Sequence, residues 1–198
     1  MKLGMVMLCA GNSRRFGSNK LLYEVQEKPM YQWMLEKLCH IRDSLEEETG
    51  VSITLVVVTQ YQEIREQAER AGARVVLNKE PERGISSSMQ LGLLEAGETD
   101  ACLFTVADQP WIQEETIKKM ILRFFSSGKG MACVAFQGKP GNPCIFSKRY
   151  YGKLMELRGD RGGKRVLLSH LEDVEQVLIE EERELLDVDQ KIVYTERI

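Results

Sequence analysis

Residues 3–22 read Leu-Gly-Met-Val-Met-Leu-Cys-Ala-Gly-Asn-Ser-Arg-Arg-Phe-Gly-Ser-Asn-Lys-Leu-Leu, an apolar run followed by a basic loop. The apolar run from Leu3 to Leu8 predicts a buried strand. In the loop, Gly11 and Gly17 allow the backbone to turn sharply and to approach a ligand closely. A hydroxyl donor and positive charge are supplied by Ser13, Arg14, Arg15 and Lys20. Residues of these types in one short loop favour binding of a phosphate group.

The spacing of this loop, Gly-x5-Gly-x2-Lys, differs from the two most familiar phosphate loops. It lacks the Gly-Lys-Ser/Thr series of the Walker loop and the three closely spaced glycines of the dinucleotide fingerprint. On residue types alone, the alternative interpretation is a solvated basic turn after an edge strand.

Composition limits the classes of protein to which the chain can belong. With 198 residues, 43% of them hydrophobic, we expect residues 1–198 to form a single α/β domain. The 27 basic and 30 acidic residues give a formal charge of −3, which argues against a nucleic-acid partner or a polybasic membrane surface. The apolar run at the N-terminus ends at Ala10, so we expect neither a signal peptide nor a membrane span.

The cysteines and histidines indicate the cellular setting and the metal chemistry. The five cysteines are odd in number and scattered through apolar runs, which favours a reducing, cytoplasmic setting. Because there is no Cys-x2-Cys pair and only two histidines, a zinc site is not expected.

Apolar runs of strand type alternate with helical patterns along the chain. The predicted strands after the first are Ile53–Thr59, Arg74–Leu77, Ala101–Val106, Met131–Phe136 and an edge strand at Val177–Ile179. The predicted helices are Pro29–Ile41, one from about Tyr61 to Gly72, one capped by a serine and running through Leu94, Gln113–Ser126, and Lys148–Leu157. We expect a solvated connection over Arg42–Gly50 and a hairpin turn over Gln137–Pro143. The alternation predicts a Rossmann-like three-layer α/β/α fold with a mostly parallel sheet.

Two segments in the middle of the chain carry candidate functional groups. Asn78 to Ser88 is a polar loop that ends in three serines before an apolar helix. Asp108 follows the buried strand Ala101–Val106, at the carboxyl edge where open α/β sheets bind ligands. A carboxylate there suits a hard divalent ion that also bridges phosphate oxygens. The alternative is that Asp108 only turns the chain before Pro110.

The basic loop resembles the signature Leu-Ala-Ala-Gly-x-Ser-x-Arg-Met-Gly-x-x-Lys-Leu of a group of nucleotidyltransferases. Within that group the chain is most similar to the molybdenum cofactor cytidylyltransferases. Cys9 stands in place of Ala and Phe16 in place of Met, whereas Arg14 falls on a variable position. The matching positions are Gly11, Ser13, Arg15, Gly17 and Lys20.

Five further segments extend the resemblance over most of the chain. Gly84-Ile-Ser-Ser-Ser-Met is similar to Gly-Met-Ser-Ser-Ser-Leu of the family, and Asp108-Gln-Pro recurs in it. Residues 159–164 are similar to Gly-Asp-x-Gly-Ala-Arg, with Lys164 in place of Arg, which keeps the charge but loses the planar fork. Asp187-Val-Asp189 resembles the start of Asp-Ile-Asp-Thr-Pro, and Gly141-x-Pro143 matches a segment on the acceptor side of the family's cleft.

The resemblance implies a nucleotidyltransferase fold and transfer of a cytidylyl group from CTP to molybdenum-loaded molybdopterin, with release of pyrophosphate. The product would serve molybdenum hydroxylases, so an apo-hydroxylase is a candidate partner. The implied cofactor is Mg²⁺, with Mn²⁺ as an alternative. The implied catalytic residues are Arg15, Lys20 and Asp108, and the implied metal ligands are Asp108 and Asp189, with Asp187 as the alternative second ligand. The implied nucleotide-binding residues are Ala10, Gly11, Ser13, Gly17, Asn78, Gly84, Ser86, Ser87 and Ser88, and the implied acceptor-binding residues are Gly141, Pro143, Asp160 and Lys164.

Several alternatives remain open. Ala10 before Gly11 favours the cytidylyl branch over the guanylyl branch, which typically has Gly-Gly at these positions. A guanylyltransferase, or an enzyme acting on a sugar phosphate or another alcohol phosphate, is the alternative within the same class. From other classes, the chain could be a non-catalytic molybdenum cofactor carrier or a nucleotide-binding regulatory domain.

Overall fold

The computed structural model describes residues 1–11, 16 and 19–189. Within these residues the strands are β1 (Lys2–Cys9), β2 (Glu24–Val25), β3 (Lys28–Pro29), β4 (Ser52–Thr59), β5 (Arg74–Leu77), β6 (Ala101–Val106), β7 (Met131–Phe136), β8 (Lys139–Ser147) and β9 (Val174–Leu178). The helices are α1 (Met30–Thr49), α2 (Gln62–Arg70), α3 (Ile85–Ala96), α4 (Glu114–Ser127), α5 (Tyr151–Met155) and α6 (Lys164–Leu168).

Seven of these strands form one sheet in the order β5-β4-β1-β6-β8-β7-β9, and β2 and β3 form a separate two-stranded ribbon. The pairs β5·β4, β4·β1, β1·β6 and β7·β9 are parallel, whereas β8 runs antiparallel to both of its neighbours. The sheet is therefore mostly parallel, as predicted. β9 lies at one edge, which confirms the predicted edge strand.

Helices cover both faces of the sheet because its central strands are apolar on both sides. Met5 and Met7 of β1 pack on one face with side chains from α1, α2 and α4. Val6 packs on the other face with side chains from α3, α5 and α6. Gly92 lets α3 lie close to the sheet, since a Cβ there would overlap the Val6 side chain. These layers confirm the predicted three-layer α/β/α arrangement.

The prediction of a solvated connection over Arg42–Gly50 is wrong. Helix α1 continues to Thr49 and ends at Gly50, which adopts the left-handed conformation. Ile41 and Leu45 are fully buried, so the apolar stripe of the helix extends into a segment whose other residues are mostly charged. The single buried side chain of Leu45 holds this part of α1 against the core, because tertiary packing outweighs the polar composition.

Three other local predictions also need correction. Pro29 ends β3 and precedes the first residue of α1, rather than belonging to the helix. The cap of α3 is Gly84, and the three serines lie inside its first turn. The predicted hairpin turn is confined to residues 137–138, because β8 begins at Lys139 and pairs with β7.

The cysteines fit the expectation of free thiols. All five are unpaired, and Cys9, Cys102, Cys133 and Cys144 are buried. Burial raises the pKa of the Cys133 thiol to about 11, so this thiol is protonated and unreactive near neutral pH. Among the described residues, no helix is both long and apolar enough to cross a membrane.

Candidate active site

Two neighbouring parallel strands deliver the first candidate residues to the same edge of the sheet. β1 and β6 pair in register up to Leu8 and Val106, so the residues that follow each strand emerge side by side. Ala10 and Gly11 follow β1, and Asp108 follows β6. The carboxyl edge of a parallel sheet is where α/β proteins commonly place their ligand sites.

Lys20 lies against two carboxylates at this edge. Its Nζ is 2.6 Å from Oδ2 of Asp108 and 3.2 Å from Oδ1 of Asp189. The side chains of Lys20 and Asp108 are 15% and 22% exposed, whereas that of Asp189 is 64% exposed. Burial disfavours the charged ammonium, but Asp108 and then Asp189 outweigh it, so the pKa of Lys20 is raised. Lys20 is therefore a fixed positive charge at neutral pH.

Asp187 occupies a different position from Asp189. Its Oδ1 accepts a hydrogen bond of 2.8 Å from Nε2 of Gln109. Burial, followed by the nearby charge of Asp108, raises the pKa of the Asp187 carboxyl. Of the two candidates for second metal ligand, Asp189 is the one that faces the Lys20 ammonium together with Asp108.

The carboxylates of Asp108 and Asp189 form a donor set that fits a hard divalent cation. One oxygen of each lies within 3.2 Å of the same Lys20 nitrogen, so both converge on one point. No group of three or more His, Cys, Asp or Glu side chains with metal-binding geometry occurs in residues 1–11, 16 and 19–189. Two carboxylates are the number that Mg²⁺ commonly takes from a protein when phosphates and water complete its shell.

A cavity of about 370 Å³ adjoins these charges. The N-terminus of α3 forms one wall, where Gly84, Ile85 and Ser88 line the cavity. The N-terminus of a helix carries a positive partial charge, which favours a phosphate. In α3 the N–H groups of Ser86 and Ser87 already donate to the carbonyls of Gly159 and Gly84, so the attraction comes mainly from the helix dipole. The opposite wall includes Ala10, Gly11, Lys20 and Asp108.

The three serines of α3 differ in their surroundings. Ser88 lines the cavity, whereas the buried side chains of Ser86 and Ser87 lie outside its described lining. The amide of Asn78 is buried and donates to the hydroxyl oxygens of Ser87 and Ser88 at 3.1 and 2.9 Å. Ser87 in turn donates to the carbonyl of Gly84 at 2.8 Å. Asn78 and Ser87 thus hold the start of α3 in place, and Ser88 presents its side chain to the cavity.

Gly84 is placed where the chain approaches the turn after α5. Its φ of +82° is unfavourable for other residues, and a Cβ there would lie 2.6 Å from Oδ1 of Asp160 and would overlap the backbone of Gly159. The N–H of Ser86 also donates to the carbonyl of Gly159 at 3.2 Å. Asp160, predicted on the acceptor side, therefore lies at the cavity that holds the candidate nucleotide residues.

Residues 59–61, the last residue of β4 and the two that follow it, anchor the start of the basic loop, a contact that the sequence motifs do not predict. Hydroxyl and amide groups of Thr59, Gln60 and Tyr61 donate to the carbonyl oxygens of Cys9, Ala10 and Gly11 at 3.2, 2.8 and 2.7 Å, respectively. The pairing of β1 with β4 could have indicated this contact, because both strands end at the same level. The remaining loop residues Ser13, Arg15 and Gly17 lie outside the described residues.

A second cavity of about 310 Å³ begins on the far side of Asp187 and Gln109. Gly141 and Lys164, both predicted on the acceptor side, line it. Pro143 lies buried in β8, outside the described lining of both cavities. Gly141 and Lys164 thus line the second cavity together, whereas Asp160 lines the first cavity and Pro143 belongs to neither lining.

Comparison with known proteins places these features in a family. Residues 5–174 match the family described as the MobA-like NTP transferase domain. The chain belongs to this family. This membership agrees with the resemblance of the basic loop to nucleotidyltransferases. The matched residues include both Lys20 and Asp108.

Similarity to individual proteins supports the MobA-like fold. A probable molybdenum cofactor guanylyltransferase from Thermococcus gammatolerans is 32% identical over 132 residues, which are 65% of this chain and 59% of the relative. This chain thus spans less than two thirds of that relative. Rv0371c from Mycobacterium tuberculosis H37Rv has a TM-score of 0.79 at 21% identity, covering 96% and 94% of the two chains. A second structure of Rv0371c, in complex with manganese, has a TM-score of 0.67 at 16% identity, covering 90% and 88%.

A nucleotidyl transferase from Methanothermobacter, Mth528, has a TM-score of 0.76 at 20% identity, covering 95% of this chain and 92% of that chain. These structural likenesses confirm the nucleotidyltransferase fold that the sequence predicted. The cytidylyl branch, which the sequence favoured, is not the one that the curated relative's name indicates.

Gln109 is a further residue of the candidate site, and the sequence motifs do not predict a role for it. Gln109 is 4% exposed and lies between the two cavities, next to Asp108. Within the Asp-Gln-Pro motif the sequence predicts a role for the carboxylate alone. The burial of Gln109 is visible only in the structure, and it matters because buried amides require hydrogen-bond partners.

Proposed function

We propose that this chain transfers a nucleotidyl group from a nucleoside triphosphate to molybdopterin carrying molybdenum. The observation that carries the proposal is the convergence of Lys20, Asp108 and Asp189 at the mouth of a cavity walled by the start of α3. A cation, a pair of carboxylates and a helix N-terminus together suit a metal-bound polyphosphate.

The reaction is an in-line displacement at phosphorus. An oxygen of the acceptor phosphate attacks the α-phosphorus of the triphosphate, and a new phosphoanhydride bond forms. The bond between the α-phosphorus and the bridging oxygen to the β-phosphorus breaks, and pyrophosphate leaves with that electron pair. No covalent enzyme intermediate is required, so the contribution of the protein is positioning and charge neutralisation.

The described residues divide these tasks. Lys20 neutralises the charge that grows on the leaving pyrophosphate, and the positive end of the α3 helix dipole attracts phosphate oxygens. Asp108 and Asp189 are the residues that would hold a divalent ion, which supplies charge neutralisation on the phosphate oxygens. Mg²⁺ is the proposed ion, and Mn²⁺ is the alternative, since Rv0371c has been crystallised with manganese. Arg15 keeps the role that the family signature implies.

The acceptor is proposed to enter from the second cavity. Lys139 and Lys164 line that cavity, and their charges suit the phosphate of the pterin substrate. Gln109 and Asp187 also line the second cavity, and Gln109 directly follows Asp108 in the chain, so an acceptor bound in this cavity would lie near the Asp108 carboxylate. The free thiols of the chain suit the reducing cytoplasm, which we propose as the location of the reaction.

GTP is the nucleotide better supported by the comparisons, because the curated relative is named a guanylyltransferase. The second candidate is CTP, which is favoured by Ala10 at a position where guanylyltransferases typically have glycine, and by the Gly84-Ile-Ser-Ser-Ser segment. Ala10 and Ser88 line the nucleotide cavity, so both positions are close enough to influence the choice of base.

The test is pyrophosphate release with each of GTP, CTP, ATP and UTP, in the presence of Mg²⁺ and molybdenum-loaded molybdopterin. We expect turnover with GTP in excess of the other nucleotides. Turnover confined to CTP would support the second candidate and reject GTP. Reactions without acceptor, and with EDTA, serve as controls.

A non-catalytic carrier predicts a different result. It would bind the pterin in a stoichiometric amount and release no pyrophosphate with any of the four nucleotides. Rapid turnover with a sugar phosphate in place of the pterin would instead overturn the assignment of the acceptor.

A further inference from the structure

Gln109 makes two hydrogen bonds to a segment that lies 76–78 residues away in the chain. Its Nε2 donates to the carbonyl oxygen of Leu185 at 3.0 Å and to Oδ1 of Asp187 at 2.8 Å. Both hydrogens of the amide are therefore used. Because the side chain is almost fully buried, loss of either bond would leave a polar group without a partner.

Gln109 binds residues 185–189, a segment whose position is not fixed by hydrogen bonds to a neighbouring β-strand. It follows a single 3-10 turn, Glu182–Leu185, and its residues belong to no strand. The N–H of Val188 donates to the carbonyl of Asp108 at 2.9 Å, and the Val188 side chain is buried beside Val25 and Met30. Gln109 and the backbone of Asp108 thus bind this segment at three successive points, Leu185, Asp187 and Val188.

These contacts decide which carboxylate faces Lys20. The Val188 side chain is buried in the core, whereas the carboxylates on either side of it have different partners: Asp187 accepts from Gln109, and Asp189 accepts from Lys20. A shift of one residue would exchange the buried valine for a carboxylate and would move Asp189 away from Lys20. The hydrogen bonds to Leu185 and Asp187 oppose such a shift.

We infer that Gln109 is a positioning residue that sets the register of residues 185–189 and thereby places the Asp189 carboxylate opposite Lys20, beside Asp108. Glutamine suits the position because its amide offers two donors to two acceptors. An ionised glutamate would place hydrogen-bond acceptors against two other acceptors, the Leu185 carbonyl and the Asp187 carboxylate. Methionine would fill the space but offers no hydrogen-bond donor. The effect on catalysis rests on the proposed function, whereas the effect on the segment does not.

The experiment compares Gln109→Met and Gln109→Glu with the wild type and with Gln113→Met. Gln113 is a matched control in the same loop, because its side-chain amide bonds only locally, to the carbonyl of Trp111, within the part of the chain that the structure describes. Its backbone N–H, which donates to Glu184, is unaffected by the substitution.

The first measurement is amide hydrogen exchange of peptides covering residues 185–189. We expect exchange about 10-fold faster or more in both Gln109 variants, and unchanged exchange in Gln113→Met. This readout needs no substrate, so it decides the structural part of the inference even if no nucleotide is turned over. Wild-type exchange rates in Gln109→Met would overturn the inference.

The second measurement is Mn²⁺ affinity, determined from the electron paramagnetic resonance signal of the free ion. Residues that orient a metal ligand commonly change affinity by about 10- to 100-fold when they are replaced, and we expect a loss in that range. Once turnover has been established, the fall in kcat should be larger than the change in the KM for the nucleotide. A lower melting temperature with wild-type Mn²⁺ affinity would mean that Gln109 contributes to stability alone, which contradicts the inference.

Discussion

The ammonium nitrogen of Lys20 lies 2.6 Å from Oδ2 of Asp108, although 88 positions separate the two residues in the sequence. The pair meets because β1 and β6 are adjacent parallel strands, so the loops that follow them share one edge of the sheet. A buried or half-buried ion pair contributes little net stability, because desolvation offsets the attraction. The position of this pair beside a cavity therefore fits a functional role better than a purely structural one.

Lys20→Ala should reduce kcat by about 10²- to 10³-fold while weakening nucleotide binding much less, because its charge acts mainly on the leaving pyrophosphate. Steady-state kinetics and a separate titration of nucleotide binding would measure the two effects. Lys118→Ala is the matched control, since Lys118 pairs with Glu48 on the surface, away from the described cavities of the site. An unchanged kcat in Lys20→Ala would remove this residue from the mechanism.

Asp108→Asn should abolish metal-dependent turnover and leave the fold intact. The amide keeps the size of the side chain, and the backbone carbonyl that accepts from Val188 is unchanged. The asparagine side chain cannot, however, supply the negative charge that attracts a divalent ion. Turnover across a Mg²⁺ titration and circular dichroism would test this, with the surface variant Asp43→Asn as the control. Full activity of Asp108→Asn at low Mg²⁺ would show that the ion binds elsewhere.

The elements that the sequence predicted well are those with a strong local signal. β1, β4 and β6 are continuous apolar runs, and their parallel arrangement brings Lys20 and Asp108 together without any knowledge of side-chain geometry. Spacing cannot reveal that Gln109 binds residues 185–189, because that contact depends on where an irregular segment crosses the sheet edge. The sequence also underestimates the length of α1. Beyond Ile41, Leu45 is the only fully buried residue of this helix, so its last two turns carry almost no apolar pattern.

The placement of Asp160 illustrates the same limit. Its motif predicts the acceptor side, and that role stays a prediction; the turn that carries it packs on Gly84 and lines the first cavity, together with Lys20 and Asp108. A glycine allows two backbones to approach each other closely, but its presence in the sequence does not show which segment it will contact.

Gly84→Ala should therefore destabilise the protein more than Gly97→Ala does. Both glycines have positive φ, +82° and +72°, which costs other residues about 1–3 kcal/mol. Only Gly84 has neighbours that a Cβ would meet, whereas nothing lies within 4 Å at Gly97. Overpacking adds about 1–3 kcal/mol, and the difference in the free energy of unfolding between the variants, measured in urea, should lie in that range. Equal losses would contradict the close contact with Gly159 and Asp160.

The stability of the protein should depend on pH through Lys37. Nζ of Lys37 donates to the carbonyl of Pro110 at 2.6 Å, and burial lowers its pKa from 10.5 to about 8. Between about pH 8 and pH 10.5 the unfolded chain holds this proton and the folded chain does not, so the free energy of unfolding rises with pH in that interval. Below about pH 8 both states are protonated, and the cost of burying the charge is fully present.

Lys37→Met removes this titration and should flatten that rise. Urea unfolding of the wild type and the variant at several pH values between 8 and 10.5 would measure it, because titrations common to both proteins cancel in the difference. The difference in unfolding free energy, wild type minus variant, should increase with pH. If the two curves remained parallel, the ammonium of Lys37 would be as well solvated in the folded protein as in the unfolded chain, and its contact with Pro110 would not involve burial of a charge.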